Sequence, residues 1–231
     1  MKNLKKKKYI LGIAILCTLL FGSFFMTRVT SVTALKRVQN LAGIVIVLDS
    51  GHGGIDAGAK SGKYKEDEIN LSIAKKTKAL LEQSGAKVIM TRDGDYDLAS
   101  KDAKIRKKED MKKRISIIND KDVDLFLSIH LNAYPNTNVK GAQAFYQKDN
   151  EVARAFAQIM QKHLKTLTGT QMTCKEGDYY ILNNAKKIGS LIECGFLSNA
   201  QDRSLLIQEE YQQKVAKTLY NGISEYFNFL T

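Results

Sequence analysis

The chain has 231 residues, an ordinary apolar content of 44% and a formal net charge of +12, which suits one core-forming domain with an appendage and excludes a disordered or fibrous chain. Eight of its cations, Lys2, Lys5, Lys6, Lys7, Lys8, Arg28, Lys36 and Arg37, fall in the first forty residues with no acid among them. The remainder carries a thin positive excess and no Lys/Arg cluster beside stacking or base-reading groups, so no nucleic acid partner is expected.

From the N-terminus, Lys5 to Lys8 precede an uncharged apolar run, 9–26, closed by Thr27 and Arg28. This pattern reads as an export signal. At about 1.5 Å per residue a helix of that length nearly crosses a hydrocarbon layer of about 30 Å, so a retained anchor and a cleaved signal both fit. The small-residue triplet Val32-Thr33-Ala34 weakly resembles a cleavage site. The leading lysines stay in the cytoplasm and direct the body outside. Cys17 follows Leu16 inside the apolar run, which argues against a lipid anchor. Residues 1–40 are therefore expected to form an N-terminal hydrophobic helix, a signal or membrane anchor, with a short linker; residues 41–231 are expected to form one folded domain, exported and either tethered to the membrane or secreted.

Next comes the β-branched run Ile44-Val45-Ile46-Val47-Leu48, ending at Asp49-Ser50-Gly51 and predicting a strand buried on both faces. Ile69, Ile73, Leu80 and Leu81 recur at helical spacing up to the stop Ser84-Gly85, and Lys87 to Met90 gives another strand. The charged stretch before Ile115 and Ile118 suggests a helix. Asp124 to Ile129 is a second buried strand and Gly141 to Tyr146 a further one. Val152, Phe156 and Ile159 mark a helix, Tyr179 to Leu182 a possible short strand, and Leu191 to Cys194 a last buried strand. Leu205 to Phe227 closes the chain as one long amphipathic helix. Strands alternating with helices predict an α/β sheet, in which ligand sites gather at the carboxyl ends of the strands.

His52 lies just past the first strand, in Ser50-Gly51-His52-Gly53-Gly54, and His130 at the end of a central one, in Ser128-Ile129-His130-Leu131-Asn132-Ala133. The glycines would let the backbone turn and present an imidazole to a cleft. The plain readings are a glycine-rich turn carrying a passenger histidine, and a buried histidine bonded to its strand neighbours. His163, inside a helix with no acid cluster in sequence, reads as structural or solvated. A catalytic zinc commonly takes two imidazoles and one carboxylate, and Glu66, Asp67 and Glu68 all stand at a helix start, where acids also occur simply to match the helix dipole. Spacing alone leaves the three open.

Glu193 interrupts the apolar run Ser190-Leu191-Ile192-Glu193-Cys194-Gly195-Phe196, and burying it unpaired is costly. Either a cation pairs with it, or it lines a cleft as a general base with a shifted pKa. Neighbouring strand residues face opposite ways, so Cys194 is assigned to the core rather than to a nucleophile. Cys174 and Cys194 are too few for a disulfide framework and could form at most one bridge.

Taken together, Val47 to Gly54, Glu66 to Leu71, Ser128 to Ala133 and Glu193-Cys194-Gly195-Phe196-Leu197-Ser198-Asn199 resemble, in order and spacing, the four signature blocks of the zinc-dependent N-acetylmuramoyl-L-alanine amidases (amidase type 3). The resemblance spans 44 to about 228. It implies a twisted, mostly parallel six-stranded sheet with helices on both faces, a Zn2+ held by His52, Glu66 and His130, and Glu193 as the catalytic glutamate. It selects Glu66 because the family's ligand precedes the Asn-Leu pair by four residues. The substrate implied is peptidoglycan, cut between N-acetylmuramic acid and L-alanine, and a regulatory partner protein is a further implication. The charged stretch from Asp97 to Asn119, the short N-terminal segment and the lack of wall-binding repeats look most like the germination-specific, spore-cortex branch. Two departures stand out: Ser50 replaces a usual proline, which should loosen the turn before His52, and Cys194 replaces a usual apolar residue. The competing functions are a zinc peptidase acting within the stem peptide and a non-catalytic wall-binding protein.

Overall fold

The computed structural model describes residues 40–230; the predicted N-terminal helix lies outside that range. Strand β1 (Val45–Ser50) is followed by a small hairpin, β2 (Lys60–Ser61) and β3 (Tyr64–Lys65), which delivers the chain into α1 (Glu66–Gln83). Then come β4 (Lys87–Met90), α2 (Arg106–Ile118), β5 (Leu125–Asn132), β6 (Gln143–Tyr146), α3 (Glu151–Thr168), β7 (Lys175–Glu176), α4 (Tyr180–Asn184), β8 (Ile188–Phe196), α5 (Ala200–Leu206) and α6 (Glu209–Leu230). Six strands form one sheet in the order β4-β1-β5-β8-β6-β7. Every neighbouring pair is parallel except β6 with β8.

The apolar runs form strands because both faces of the sheet are covered. Ile46 and Leu48 join the larger core cluster with Ile73 of α1, Phe156 of α3 and Leu219 of α6. Val47, between them, turns the other way into a smaller cluster with Ile118 of α2, Phe126 and Ile181 of α4. This period of two continues along β5 and β8: Ile129, Leu131, Ile192 and Cys194 face the larger cluster, whereas Phe126 and Leu191 face the smaller one. His130 and Glu193 therefore point to the side of α2 and α4.

Two expectations about elements are corrected. Residues 179–182 contribute a helical turn rather than a strand. Ile181 and Leu182, adjacent in sequence, are both buried in the smaller cluster, which a helix permits and a strand, sending them to opposite faces, does not. The edge position beside β6 is taken by β7 instead. The closing helix is also two helices. Asn199 caps α5 by accepting from the Asp202 amide at 2.9 Å, and the chain breaks after Leu206, whose carbonyl accepts from Gln212 Nε2 at 2.8 Å. The acids Glu209 and Glu210 then open α6, where the helix dipole favours them.

Candidate active site

Four side chains from separate stretches meet at the carboxyl ends of β1, β5 and β8. His130 and Glu193 are register partners on adjacent parallel strands, so their side chains leave the same face side by side. Glu66 arrives from the first turn of α1, and His52 from the loop after β1. His52 Nε2 lies 3.2 Å from Glu66 Oε1 and His130 Nδ1 lies 3.0 Å from the same oxygen. The two imidazole centroids are 5.0 Å apart and nearly perpendicular.

This crowding rests on glycines. A Cβ on Gly51 would sit 2.3 Å from His130 Cε1, and one on Gly58 would sit 2.5 Å from Glu66 Oε2 and 2.7 Å from His52 Cδ2. His52 itself has φ +60, a left-handed conformation that costs an L-residue roughly 1 to 2 kcal/mol. Strain at that residue is tolerated where surrounding contacts hold it.

Glu66 is 3% exposed and fully bonded. Oε2 accepts from the Ala59 amide at 2.8 Å, and Oε1 from the Leu131 amide at 3.0 Å and Asn70 Nδ2 at 3.2 Å. Burial opposes its charge, but hydrogen bonds from His130 and His52 and their charges hold its pKa well below the usual carboxylate range. Of the other two acids at the helix start, Glu68 is exposed and paired with Lys65, and Asp67 is buried away from the imidazoles, its pKa raised by burial. Burial likewise disfavours the His52 imidazolium, yet Glu66 and Asp56 outweigh it and raise the pKa to about 9. Asp56 Oδ2 is 3.1 Å from His52 Nδ1, which leaves Nε2 facing Glu66.

Glu193 has a different environment. No cation among the described residues lies within ion-pair distance of its carboxylate, so the cation pairing offered as one sequence alternative is not found. Its Oε1 accepts a long bond from the Tyr179 hydroxyl at 3.4 Å, while Oε2 is buried without a partner. Burial raises the carboxyl pKa to about 7, helped by the Glu66 charge and opposed by the nearby imidazoles and Tyr179. Cys194 faces the core and is buried, its thiol pushed far up by burial, and Cys174 is likewise unbridged. His163 sits apart between α3 and α6, its Nε2 2.7 Å from Glu225.

Sequence reasoning missed Asp56, Arg92, Arg114 and Tyr179. An acid four residues after His52 was the one available signal for Asp56. The arginines belong to segments distant in sequence, with nothing local to mark their contacts. Ser50, where the family usually has proline, is fully buried, and both arginines donate to its carbonyl.

Ligand atoms of His52, Glu66 and His130 all lie within 4.8 Å of one another. A tetrahedral zinc with bonds of about 2.0 to 2.2 Å separates its donors by roughly 3.3 Å, close to the 3.0 and 3.2 Å between Glu66 and the imidazoles. The donor set fits. A mostly parallel α/β sheet that carries such a triad at its strand ends, beside a buried carboxyl group, defines the class as a metal-competent α/β protein.

The chain belongs to the N-acetylmuramoyl-L-alanine amidase family, whose model matches residues 46–225. It is 38% identical to the germination-specific N-acetylmuramoyl-L-alanine amidase of Bacillus subtilis, over 98% of this chain and 96% of the relative. Among solved structures, the CwlD amidase from Clostridioides difficile, determined in complex with the GerS lipoprotein, superposes with a TM-score of 0.78 at 37% identity, covering 80% of this chain and 99% of that one. The catalytic domain of the amidase CwlV from Bacillus (Paenibacillus) polymyxa gives 0.71 at 31% identity, covering 80% and 98%.

Proposed function

We propose that this protein is a zinc-dependent N-acetylmuramoyl-L-alanine amidase that hydrolyses the amide between N-acetylmuramic acid and L-alanine in peptidoglycan, acting in spore cortex maturation or germination. The observation that carries the reading is the convergence of His52, Glu66 and His130 within metal-binding reach, beside a Glu193 carboxyl whose pKa is raised to about 7. The germination assignment is supported by the relative from Bacillus subtilis.

His52, Glu66 and His130 would hold the ion. Bound there, zinc supplies Lewis-acid polarisation of the scissile carbonyl and acidification of a water. Asp56 accepts from His52 Nδ1 and so keeps the lone pair of Nε2 turned inward. The amides of Leu131 and Ala59 fix both oxygens of Glu66. Glu193, its carboxyl pKa raised by burial, takes a proton from the attacking water and returns it to the departing amine of L-alanine. Tyr179 donates to Glu193 Oε1, leaving Oε2 free for proton transfer.

The protein acts outside the cytoplasm, with residues 1–40 as signal or anchor and 41–231 as the catalytic domain. Among the described residues no helix is long and apolar enough to cross a membrane; the apolar run at 9–26 behind Lys5 to Lys8 is what supports a signal or tether. A regulatory lipoprotein is the partner proposed, by extension from the GerS complex of the relative. Digestion of purified peptidoglycan tests the reaction: new L-alanine amino termini with intact glycan are expected. New termini within the stem peptide would instead establish the peptidase, and binding without cleavage by zinc-loaded protein the wall-binding function.

A further inference from the structure

The loop that presents His52 is held from behind by two buried guanidinium groups. Arg92 is 1% exposed and Arg114 is 2% exposed, and both direct their donors at the carbonyls of three consecutive residues. Ser50 O accepts from Arg114 Nη1 at 2.7 Å and from Arg92 Nε at 3.0 Å. Gly51 O accepts from Arg92 Nη2 at 2.9 Å, and His52 O from Arg114 Nη2 at 2.6 Å. Successive carbonyls of an extended strand point in alternating directions; three of them can meet two adjacent cations only if the chain curls there. His52 adopts φ +60 at the end of that curl.

The remaining donors lock the arginines themselves. Arg114 reaches Asp49 Oδ1 and Asp110 Oδ2, both at 2.9 Å. Arg92 has no carboxylate within ion-pair distance among the described residues; its other bonds go to the carbonyls of Gly94 at 2.9 Å and Asp67 at 2.8 Å. Asp67 directly follows Glu66, so Arg92 ties the start of α1 to the loop carrying His52. Space for it depends on Gly53, where a Cβ would lie 2.7 Å from Arg92 Nε.

We propose that Arg92 and Arg114 are positioning residues that clamp the carbonyls of Ser50, Gly51 and His52 and thereby set the place of the His52 imidazole relative to Glu66. Neither guanidinium touches the imidazoles or Glu193; both act through the backbone. The inference rests on the zinc reading of the site and adds to it that metal affinity depends on two side chains outside the donor set. Lysine in either place retains a positive charge but loses the planar fork that serves two carbonyls at once.

The test uses the parent and the variants Arg92→Lys, Arg114→Lys and Asp110→Asn, the last leaving the loop untouched while removing a carboxylate that orients Arg114. Zinc affinity is measured by competition with a chromophoric chelator, fold by circular dichroism and urea denaturation of chelator-treated protein, and site geometry by the visible spectrum of the cobalt(II)-substituted protein. The lysine variants are expected to bind zinc roughly 10- to 100-fold more weakly, as for other groups that orient a ligand, with altered cobalt bands. Asp110→Asn should shift both readouts in the same direction by several-fold, and it serves as the test if a lysine variant fails to fold. Folded variants with parental zinc affinity and cobalt spectrum would overturn the clamp while leaving the zinc reading intact. A parent that binds no zinc would overturn both.

Discussion

Glu193 is the carboxyl group that burial pushes upward in pKa beside the two imidazoles. Its folded pKa of about 7 stands above the ordinary 4.5, so folding favours the protonated form. The associated stability is fully present below about pH 4.5 and is lost as pH rises through about 7. In chelator-treated protein, Glu193→Gln should therefore be more stable than the parent at about pH 8, by roughly 1 to 3 kcal/mol, as read from urea denaturation. The same variant, loaded with zinc, should lose roughly 10² to 10⁴ in turnover. Parental turnover would remove Glu193 from proton transfer. His52 gives a second pH dependence with its own sign. Glu66 and Asp56 raise its pKa to about 9 in the metal-free protein, and zinc must displace that proton. Zinc affinity should then weaken by roughly tenfold per pH unit on going from about pH 8 to 7. An affinity flat over that interval would show that His52 is already neutral. That His52 and His130 could share a cleft was legible from their places after strands. The role of Asp56 was not, because an acid four residues on in an irregular loop meets the imidazole only when the loop closes.

At the level of elements, the site depends on close approach more than on helix or strand stability. Gly58 at φ +63 leaves room for both Glu66 and His52, so Gly58→Ala should weaken zinc binding at least tenfold, the scale on which groups orienting a ligand act. Asn150 offers the contrast. Its Oδ1 caps α3 by accepting from the Ala153 amide at 2.9 Å, and Asn150→Ala should cost about 1 kcal/mol of stability with zinc affinity unchanged. Equal effects of the two on zinc binding would mean that the site senses general stability and not local packing. Hydrophobic pattern predicted the buried strands and α1 well, since continuous apolar runs and a 3.6 period are local properties. It failed at 179–182, where only the burial of both Ile181 and Leu182 separates a helical turn from a strand, and at 205–227, where the carbonyl of Leu206 is satisfied by a side chain from the next helix.

For the molecule as a whole, an ion that binds the folded chain and not the unfolded one stabilises it by linkage, about 4 kcal/mol at a thousandfold excess over the dissociation constant. Thermal unfolding should accordingly shift upward with zinc and downward with chelator, and a midpoint indifferent to both would argue against an ion bridging the loop after β1, the start of α1 and the end of β5. The sequence by itself determined the alternation of strands and helices, the apolar faces, and the opposed directions of Glu193 and Cys194, because those follow from side-chain periodicity along a few residues. Only the tertiary structure decided that His130 and Glu193 stand in register, that Asp56 meets the imidazole of His52, and that Arg92 and Arg114 bond the carbonyls of Ser50, Gly51 and His52. All but the Asp56 contact join residues tens of positions apart, and their geometry depends on how the strands are registered and where α1 crosses the sheet, which no local pattern encodes.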